Sequence, residues 1–311
     1  MLDIETLSVA FPASHVVRDV SLRVAAGEVV GVVGETGSGK SQIFLAAMGL
    51  LGAGARAQGS VKFRGRELLG APRRELESTR GAQLAMIFQD PLSALTPHVR
   101  IGVQMAEVLV HHRRATWRAA DAAALAMLRR VGIPEPERRL RQYPYQLSGG
   151  MRQRVLIGMS LLCEPKLVIA DEPTTALDVT LQAQVIDLLR SLRGEMGLSL
   201  VLISHDLGVV AGLADRILVV YAGRIVETLA LGARARHPYT AALIRCTPNL
   251  ARSPDARMPT LPGQPPDPRF EATGCAFAPR CAYAADRCRA ERPSLLPTGD
   301  GEVACHYPLP A

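Results

Sequence analysis

The stretch GETGSGKS, Gly34 to Ser41, fits the spacing G-x-x-x-x-G-K-[ST]. Its chemistry is phosphate binding. The glycines let backbone N–H groups turn inward around phosphate oxygens, and the start of a following helix adds partial positive charge. Glu35, Thr36, Gly37, Ser38 and Gly39 complete the loop. Lys40 reaches the β- and γ-phosphates, the Ser41 hydroxyl suits the hard ion Mg²⁺, and Gln42 follows. Far downstream, LVIADEP places Asp171 and Glu172 side by side. One carboxylate can hold Mg²⁺ through water while the next polarises a water for in-line attack on the γ-phosphate. His205, in ISHD, emerges from a third apolar run toward the sheet edge where α/β folds bind ligands. Together these residues spell hydrolysis of a purine nucleoside triphosphate. A second glycine-rich stretch, QLSGGMRQR from Gln146 to Arg154, offers a further phosphate-binding element. One nucleotide does not need both from the same chain.

The elements that position these residues are short and buried. EVVGVVG reads as a strand feeding the loop, and SQIFLAAMGLL as the helix after it. KLVIAD and LSLVLISHD are two more apolar runs of the fully buried kind. Between them Leu181, Val185, Leu188, Leu189 and Leu192 share one helical face, with Gly197 as the stop. Strands covered on both faces and separated by helices imply a mostly parallel α/β sheet. The opening segment, to about Ser21, alternates like antiparallel β. Residues 92–162 read as a helical insertion, with Trp117, Leu125, Leu128 and Val131 on one stripe. From residue 233 onward the chain holds 13 of its 22 prolines and four clustered cysteines, and LPGQPPDPRF reads as an extended linker. The expected organisation is a nucleotide-binding core in two parts, 1–91 and 163–232, a helical part at 92–162, and an extension at 233–311.

Composition excludes other classes. Hydrophobic residues make up 48% of the 311-residue chain, too many for a mainly disordered protein. No apolar run approaches the ~18 residues that span a bilayer. The start, MLDIETLSVAF, has neither a basic region nor a long apolar run, so a cytosolic location is expected. The net charge of +7 does not mark a nucleic-acid surface. All basic residues except Lys40, Lys62 and Lys166 are arginines scattered along an alanine-rich chain, which is a compositional bias.

The ordered set GETGSGKS, IFQD, LSGGMRQR, LVIADEP, TTALD and ISHD resembles the ATP-binding cassette of ABC transporters over roughly residues 3–230. The resemblance implies a P-loop NTPase of α/β class, with a RecA-like parallel sheet, an antiparallel β subdomain and an inserted helical subdomain. It implies a head-to-tail pair of cassettes in which Ser148, Gly149 and Gly150 of one chain close over the γ-phosphate held by its partner. Glycine permits close backbone approach and the serine hydroxyl donates to phosphate. It further implies that Gln89 senses Mg²⁺ and the attacking water, that Ser41, Gln89 and Asp171 serve the metal, and that Glu172 and His205 are catalytic. Asp178 is then expected at the subunit interface. Phe11, 23 residues before Gly34, stands where an aromatic stacks on adenine, although a strand phenylalanine is as often core. His15 is a weaker candidate.

The tail narrows the family. HPYTAALI, LPGQPPDP, GCAFAPRCAYAADRC and ACH resemble the extension of oligopeptide and dipeptide (peptide/nickel) importer ATPases, D-type. Thr96, where asparagine is usual, is a small departure. This implies ATP-driven uptake at the cytoplasmic face of the inner membrane, with an F-type second ATPase, two permease subunits and an extracytoplasmic binding protein. A nickel, metal-chelate or glutathione importer shares the cassette. A soluble ABC-type ATPase acting on ribosomes or DNA usually has two cassettes or long coiled coils, and neither is seen. Cys275, Cys281, Cys288 and Cys305, spaced C-x₅-C-x₆-C-x₁₆-C, lack the paired C-x₂-C of a zinc ribbon. Four thiolates suit an iron–sulfur cluster, and some members of the importer group carry [4Fe–4S] here. Structural zinc on Cys₄, or Cys₃ with His306, and free thiols are the alternatives. Cys163 and Cys246 read as buried small hydrophobes.

Overall fold

The alternating opening segment becomes a long hairpin. Strands β1 (Leu2–Phe11) and β2 (Ser14–Val24) pair antiparallel from Leu2↔Val24 to Phe11↔Ser14. Leu2, Ile4, Leu7 and Val9 on one strand, and Val17, Val20, Leu22 and Val24 on the other, are buried. Strand β3 (Val29–Val33) has no such alternation, and all five of its residues are buried. It leads through the glycine-rich loop into α1 (Lys40–Ala47). Strands β4 (Arg56–Phe63) and β5 (Arg66–Glu67) complete a four-stranded sheet of order β2-β1-β4-β5. The computed structural model describes residues 1–175, 177–247 and 259–310. Two compact units divide the chain, one made of 1–24, 29–70 and 203–311, the other of 25–28 and 71–202.

The second unit carries α2 (Arg73–Thr79), β6 (Leu84–Ile87), α3 (Pro91–Ala94), α4 (Ile101–Arg113), α5 (Trp117–Arg130), α6 (Pro136–Leu140), α7 (Gly149–Leu161), β7 (Leu167–Asp171) and α8 (Val179–Met196). Strands β6 and β7 pair in parallel. Helices α4 to α7 lie between 92 and 162, and most of the expected stripe turns inward: Leu128 and Val131 are buried and Leu125 is half-buried. Trp117 is the exception at 52% exposed, and α5 also buries Ala120, Ala124 and Met127. Trp117 sits in the first turn, just after its Thr116 cap. Small residues make the inner face because helices approach closely there: a Cβ on Gly158 of α7 would lie 3.2 Å from Met127. Helix α8 buries Val185, Ile186, Leu189 and Leu192, whereas Leu181 and Leu188 are half-buried. Gly197 ends it with φ of 60°, as expected.

The first unit resumes within β8 (Ser199–Ser204) and continues with α9 (Leu207–Ala211), β9 (Arg216–Tyr221), β10 (Arg224–Ala230) and α10 (Pro238–Cys246). The extension follows with α11 (Asp286–Ala290), β11 (Leu296–Thr298) and β12 (Gly301–Val303). Residues 248–258 and 311 of the expected extension, and Ala176 of TTALD, lie outside the described residues. Strand β9 runs parallel to β3, and β10, β12 and β11 then add in antiparallel order. The extension therefore contributes strands to a sheet edge, which its proline content hid. Its aromatic residues pack into the first unit: Tyr221 and Tyr239 lie 4.5 Å apart between ring centres, and Phe277 is 5.3 Å from Tyr239. Cys163 is buried, but Cys246 is only half-buried, a correction to the sequence reading.

His237 caps α10, with Nδ1 accepting from the Tyr239 N–H at 3.0 Å. Burial pushes its pKa down to about 4. The unfolded imidazole, near 6.5, binds a proton that the folded one refuses, so stability is full above about pH 6.5 and declines as pH falls toward 4. Lowering pH from 7.5 to 5 is expected to remove about 2 kcal/mol through this residue. His237→Asn keeps an acceptor at the cap and should flatten the pH dependence of the thermal midpoint in calorimetry.

Candidate functional site

Within the first unit, the loop after β3 is shaped by backbone crowding. Gly34 has φ of 155°, and a Cβ there would stand 2.2 Å from the Val220 carbonyl oxygen. At Gly39, with φ of 99°, a Cβ would stand 2.4 Å from the Val16 carbonyl oxygen. Only glycine fits both places. Lys40 is 5% exposed, and its Nζ donates to Gly34 O (2.8 Å) and Glu35 O (3.0 Å), so the ammonium lies over the loop. The buried Ser38 Oγ and Gln42 Oε1 find no hydrogen-bond partner among the described residues. Buried orphan polar atoms beside a lysine in a glycine-rich loop fit a phosphate-bearing ligand. Ser41 opens α1 beside Lys40. Thr36 and Gly37 form the exposed tip of the loop.

Phe11 ends β1 half-buried, and its Cε1 lies 3.9 Å from the place a Cβ on Gly52 would occupy. His15 is exposed, and its N–H donates to Pro268 O at 3.2 Å. His205 follows β8 and is exposed, while the next residue, Asp206, caps α9.

In the second unit, Asp171 closes the wholly buried β7 and is itself 7% exposed. Glu172 follows with φ of 46°, a left-handed conformation that costs a non-glycine residue roughly 1–2 kcal/mol. Its Oε2 accepts from Gln89 Nε2 (3.2 Å) and from Thr175 Oγ1 (2.7 Å). The structure thus brings Gln89 and Glu172, 83 residues apart, into hydrogen-bond contact. Thr175 is a partner that sequence reasoning missed. Its place three residues after Glu172 was the available signal, since a turn returns i+3 to i.

Ser148 caps α7, its Oγ accepting from Met151 N at 3.3 Å, and both Ser148 and Gly149 are exposed. A Cβ on Gly149 would meet nothing within 4 Å, whereas one on the buried Gly150 would stand 3.1 Å from Leu181. Asp178 is exposed and caps α8 through Leu181 N at 2.9 Å.

The extension gathers its cysteines. Cys275, Cys281, Cys288 and Cys305 line one cavity together with His306 and His237, and none is bridged by a disulfide. Backbone N–H groups of Phe277, Tyr283 and Tyr307 face the sulfurs of Cys275, Cys281 and Cys305. Burial, reinforced by neighbouring cysteines, pushes the Cys305 thiol up to about 11. Among the described residues, however, no group of three or more His, Cys, Asp or Glu side chains is arranged to hold a metal ion. The expected metal centre is therefore seen as a convergence of thiols and not as a formed ligand set. Among the described residues no helix is long and apolar enough to cross a membrane.

The ABC transporter family profile matches residues 17–175, and that of the oligopeptide/dipeptide transporter C-terminal region matches residues 225–288. The chain is 46% identical to the oligopeptide transport ATP-binding protein OppD of Salmonella typhimurium, covering 99% of this chain and 94% of that one. It is also 46% identical to the dipeptide transport ATP-binding protein DppD of Escherichia coli, covering 99% and 97%. Among solved structures it is similar to the dimeric post-hydrolysis state of the ATP-binding cassette MJ0796 bound to ADP and Pi. There the TM-score is 0.67 at 25% identity, over 75% of this chain and all of that one.

The hydrogen bonds that join Gln89, Glu172 and Thr175 give substitutions by which the expected catalytic roles can be tested. Glu172→Gln is expected to slow phosphate release at least about 100-fold while ATP binding stays within a few-fold of normal. Thr175→Val removes one hydrogen bond to a charged group and should slow turnover about 10-fold. Phosphate-release rates and equilibrium nucleotide binding, measured on the same preparations, check both.

Proposed function

The chain belongs to the ABC transporter family, and we propose that it is the ATP-hydrolysing subunit of an importer of short peptides, peripheral on the cytoplasmic face of the membrane. The observation that carries this reading is near-complete coverage by peptide-transport ATP-binding relatives, tail included. Its second ATPase would be an F-type chain. Two permease subunits would form the pore, and an extracytoplasmic binding protein would choose the cargo.

In this reading the loop from Gly34 to Gln42 binds the triphosphate, with Lys40 moving from the loop carbonyls to the β- and γ-phosphates. Ser41, Asp171 and Gln89 would serve Mg²⁺, which would supply charge neutralisation to the triphosphate. Glu172 orients and polarises the attacking water, with Gln89 and Thr175 fixing its carboxylate. His205 donates to the γ-phosphoryl oxygens, and Phe11 stacks on the adenine. Ser148, Gly149 and Gly150 cover the γ-phosphate bound by the other cassette, and Asp178 lies at that interface. The open space at Gly149 supports this role, because among the described residues no atom within 4 Å of an added Cβ requires a glycine there. Closure of the pair is passed to the pore through the helical part between Gln89 and Ser148, and hydrolysis resets it.

The four extension thiols are proposed to hold a [4Fe–4S] cluster. Their shared cavity and the amides facing three of the sulfurs support it, since such donors stabilise thiolates. The nearby His306 keeps zinc as the second reading. Either group would staple a tail that is poor in core of its own.

Reconstitution with the permease and binding-protein subunits in liposomes tests the transport reading. Peptide-loaded binding protein should raise ATP hydrolysis and drive peptide accumulation, whereas stimulation by nickel chelates or glutathione alone would overturn peptide as cargo. Anaerobic purification should give a coloured, iron-containing protein, and Cys305→Ser should lose most of the iron. Because the Cys305 thiol must lose its proton, cluster reconstitution should improve as pH rises from 6 to 8. A colourless, iron-free wild-type protein overturns the cluster.

A further inference from the structure

Glu35, the second residue of the phosphate loop, is held mainly by the C-terminal extension. Its N–H donates to Tyr239 Oη at 2.8 Å. Its carboxylate takes two parallel bonds from Arg280, Nη1 to Oε2 at 2.7 Å and Nη2 to Oε1 at 2.9 Å. Arg280 is fixed in turn: Nη1 also donates to Tyr221 Oη (3.2 Å) and Nε to Pro262 O (2.7 Å). The Arg280 side chain is 4% exposed and that of Glu35 22%. Arg280 directly precedes Cys281, whose thiol lines the cysteine cavity.

This pair answers a difficulty in the loop. A carboxylate beside Lys40 would repel an incoming triphosphate, and in a partly buried setting that repulsion is only weakly screened. A bidentate guanidinium both neutralises the carboxylate and turns it toward the extension. The Glu35 carbonyl remains directed at Lys40 Nζ, at 3.0 Å.

We propose that Arg280 is a positioning residue of the phosphate loop. By clamping and neutralising Glu35, it makes nucleotide affinity depend on the correct seating of the cysteine-rich extension. The proposal rests on ATP binding at this loop and is independent of the cargo and of the group the cysteines hold.

The test is a charge-removal cycle on the full-length chain, reading the Kd of a fluorescent ATP analogue together with kcat and KM. Arg280→Gln should raise Kd and KM about 10-fold while kcat changes less than about 3-fold. Arg280→Lys, a point charge without the fork, should fall between. The double variant Glu35→Gln/Arg280→Gln should return to within about 3-fold of the normal Kd, because the repelling charge has gone with its partner. An unchanged Kd in a folded Arg280→Gln protein overturns the proposal, as does a double variant that binds as poorly as Arg280→Gln alone, which is what a merely structural role predicts. If Arg280→Gln does not fold, Glu35→Gln decides. Binding at least as tight as normal supports the proposal, and weaker binding overturns it.

Discussion

Three backbone segments meet with almost no side chain between them, and the phosphate loop depends on that contact. Val16 of β2, Gly39 of the loop and Gly223 of the β9–β10 turn are stacked so closely that a Cβ on Gly39 or Gly223 would stand 2.4 or 2.6 Å from the Val16 carbonyl oxygen. Gly223 N donates to Ser38 O at 2.9 Å, and Arg18 N donates to Gly223 O at 2.9 Å. The loop is thus tied on one side to the hairpin sheet and on the other to the β9–β10 turn. A cradle of amides binds phosphate well only if its donors are already aimed, so this crowding pre-organises the site. The same stack makes the antiparallel hairpin a structural support of the glycine-rich loop and not a decoration on it.

What the sequence made legible follows from distance along the chain. GETGSGKS carries its own geometry within eight residues, so loop, helix start and lysine were all readable. The strands ending at Val33, Asp171 and Ser204 were readable because runs buried on both faces leave continuous apolar stretches. The carboxylate pair was visible as types, but Thr175 was not, because a threonine in a turn has many uses. Trp117 shows the opposite failure. Helical spacing placed it with Leu125, Leu128 and Val131, yet it stays exposed in the first turn, while Ala120 and Ala124 join Met127 and Leu128 on the buried face, and binary patterning gives alanines little weight. In the tail, proline content concealed strands of only three residues, and nothing along the chain ties Arg280 to Glu35, 245 residues away.

Glu172 illustrates how the second unit meets a conflicting demand. Its left-handed backbone is unfavourable for glutamate, and two local bonds offset it: Thr175 N donates to Glu172 O at 3.1 Å, and Thr175 Oγ1 holds the carboxylate. The turn that strains the residue also returns Thr175 to its side chain. Strain and positioning therefore share one cause, and relieving the first would disturb the second.

Ser148 and Asp178 each hold a helix start without exhausting their hydrogen-bonding capacity. Each already caps a helix, which accounts for its presence without any partner. The cap consumes only acceptor capacity. The Ser148 hydroxyl accepts from Met151 N, and its own proton remains to donate outward, beside the first-turn amides of a 13-residue helix. Phosphate asks for donors alone. The Asp178 carboxylate, with one oxygen receiving Leu181 N, keeps lone pairs for other donors. Capping therefore uses acceptor lone pairs alone and leaves the Ser148 proton and further Asp178 lone pairs uncommitted by the cap, so each helix start is held by bonds that do not exhaust its polar group.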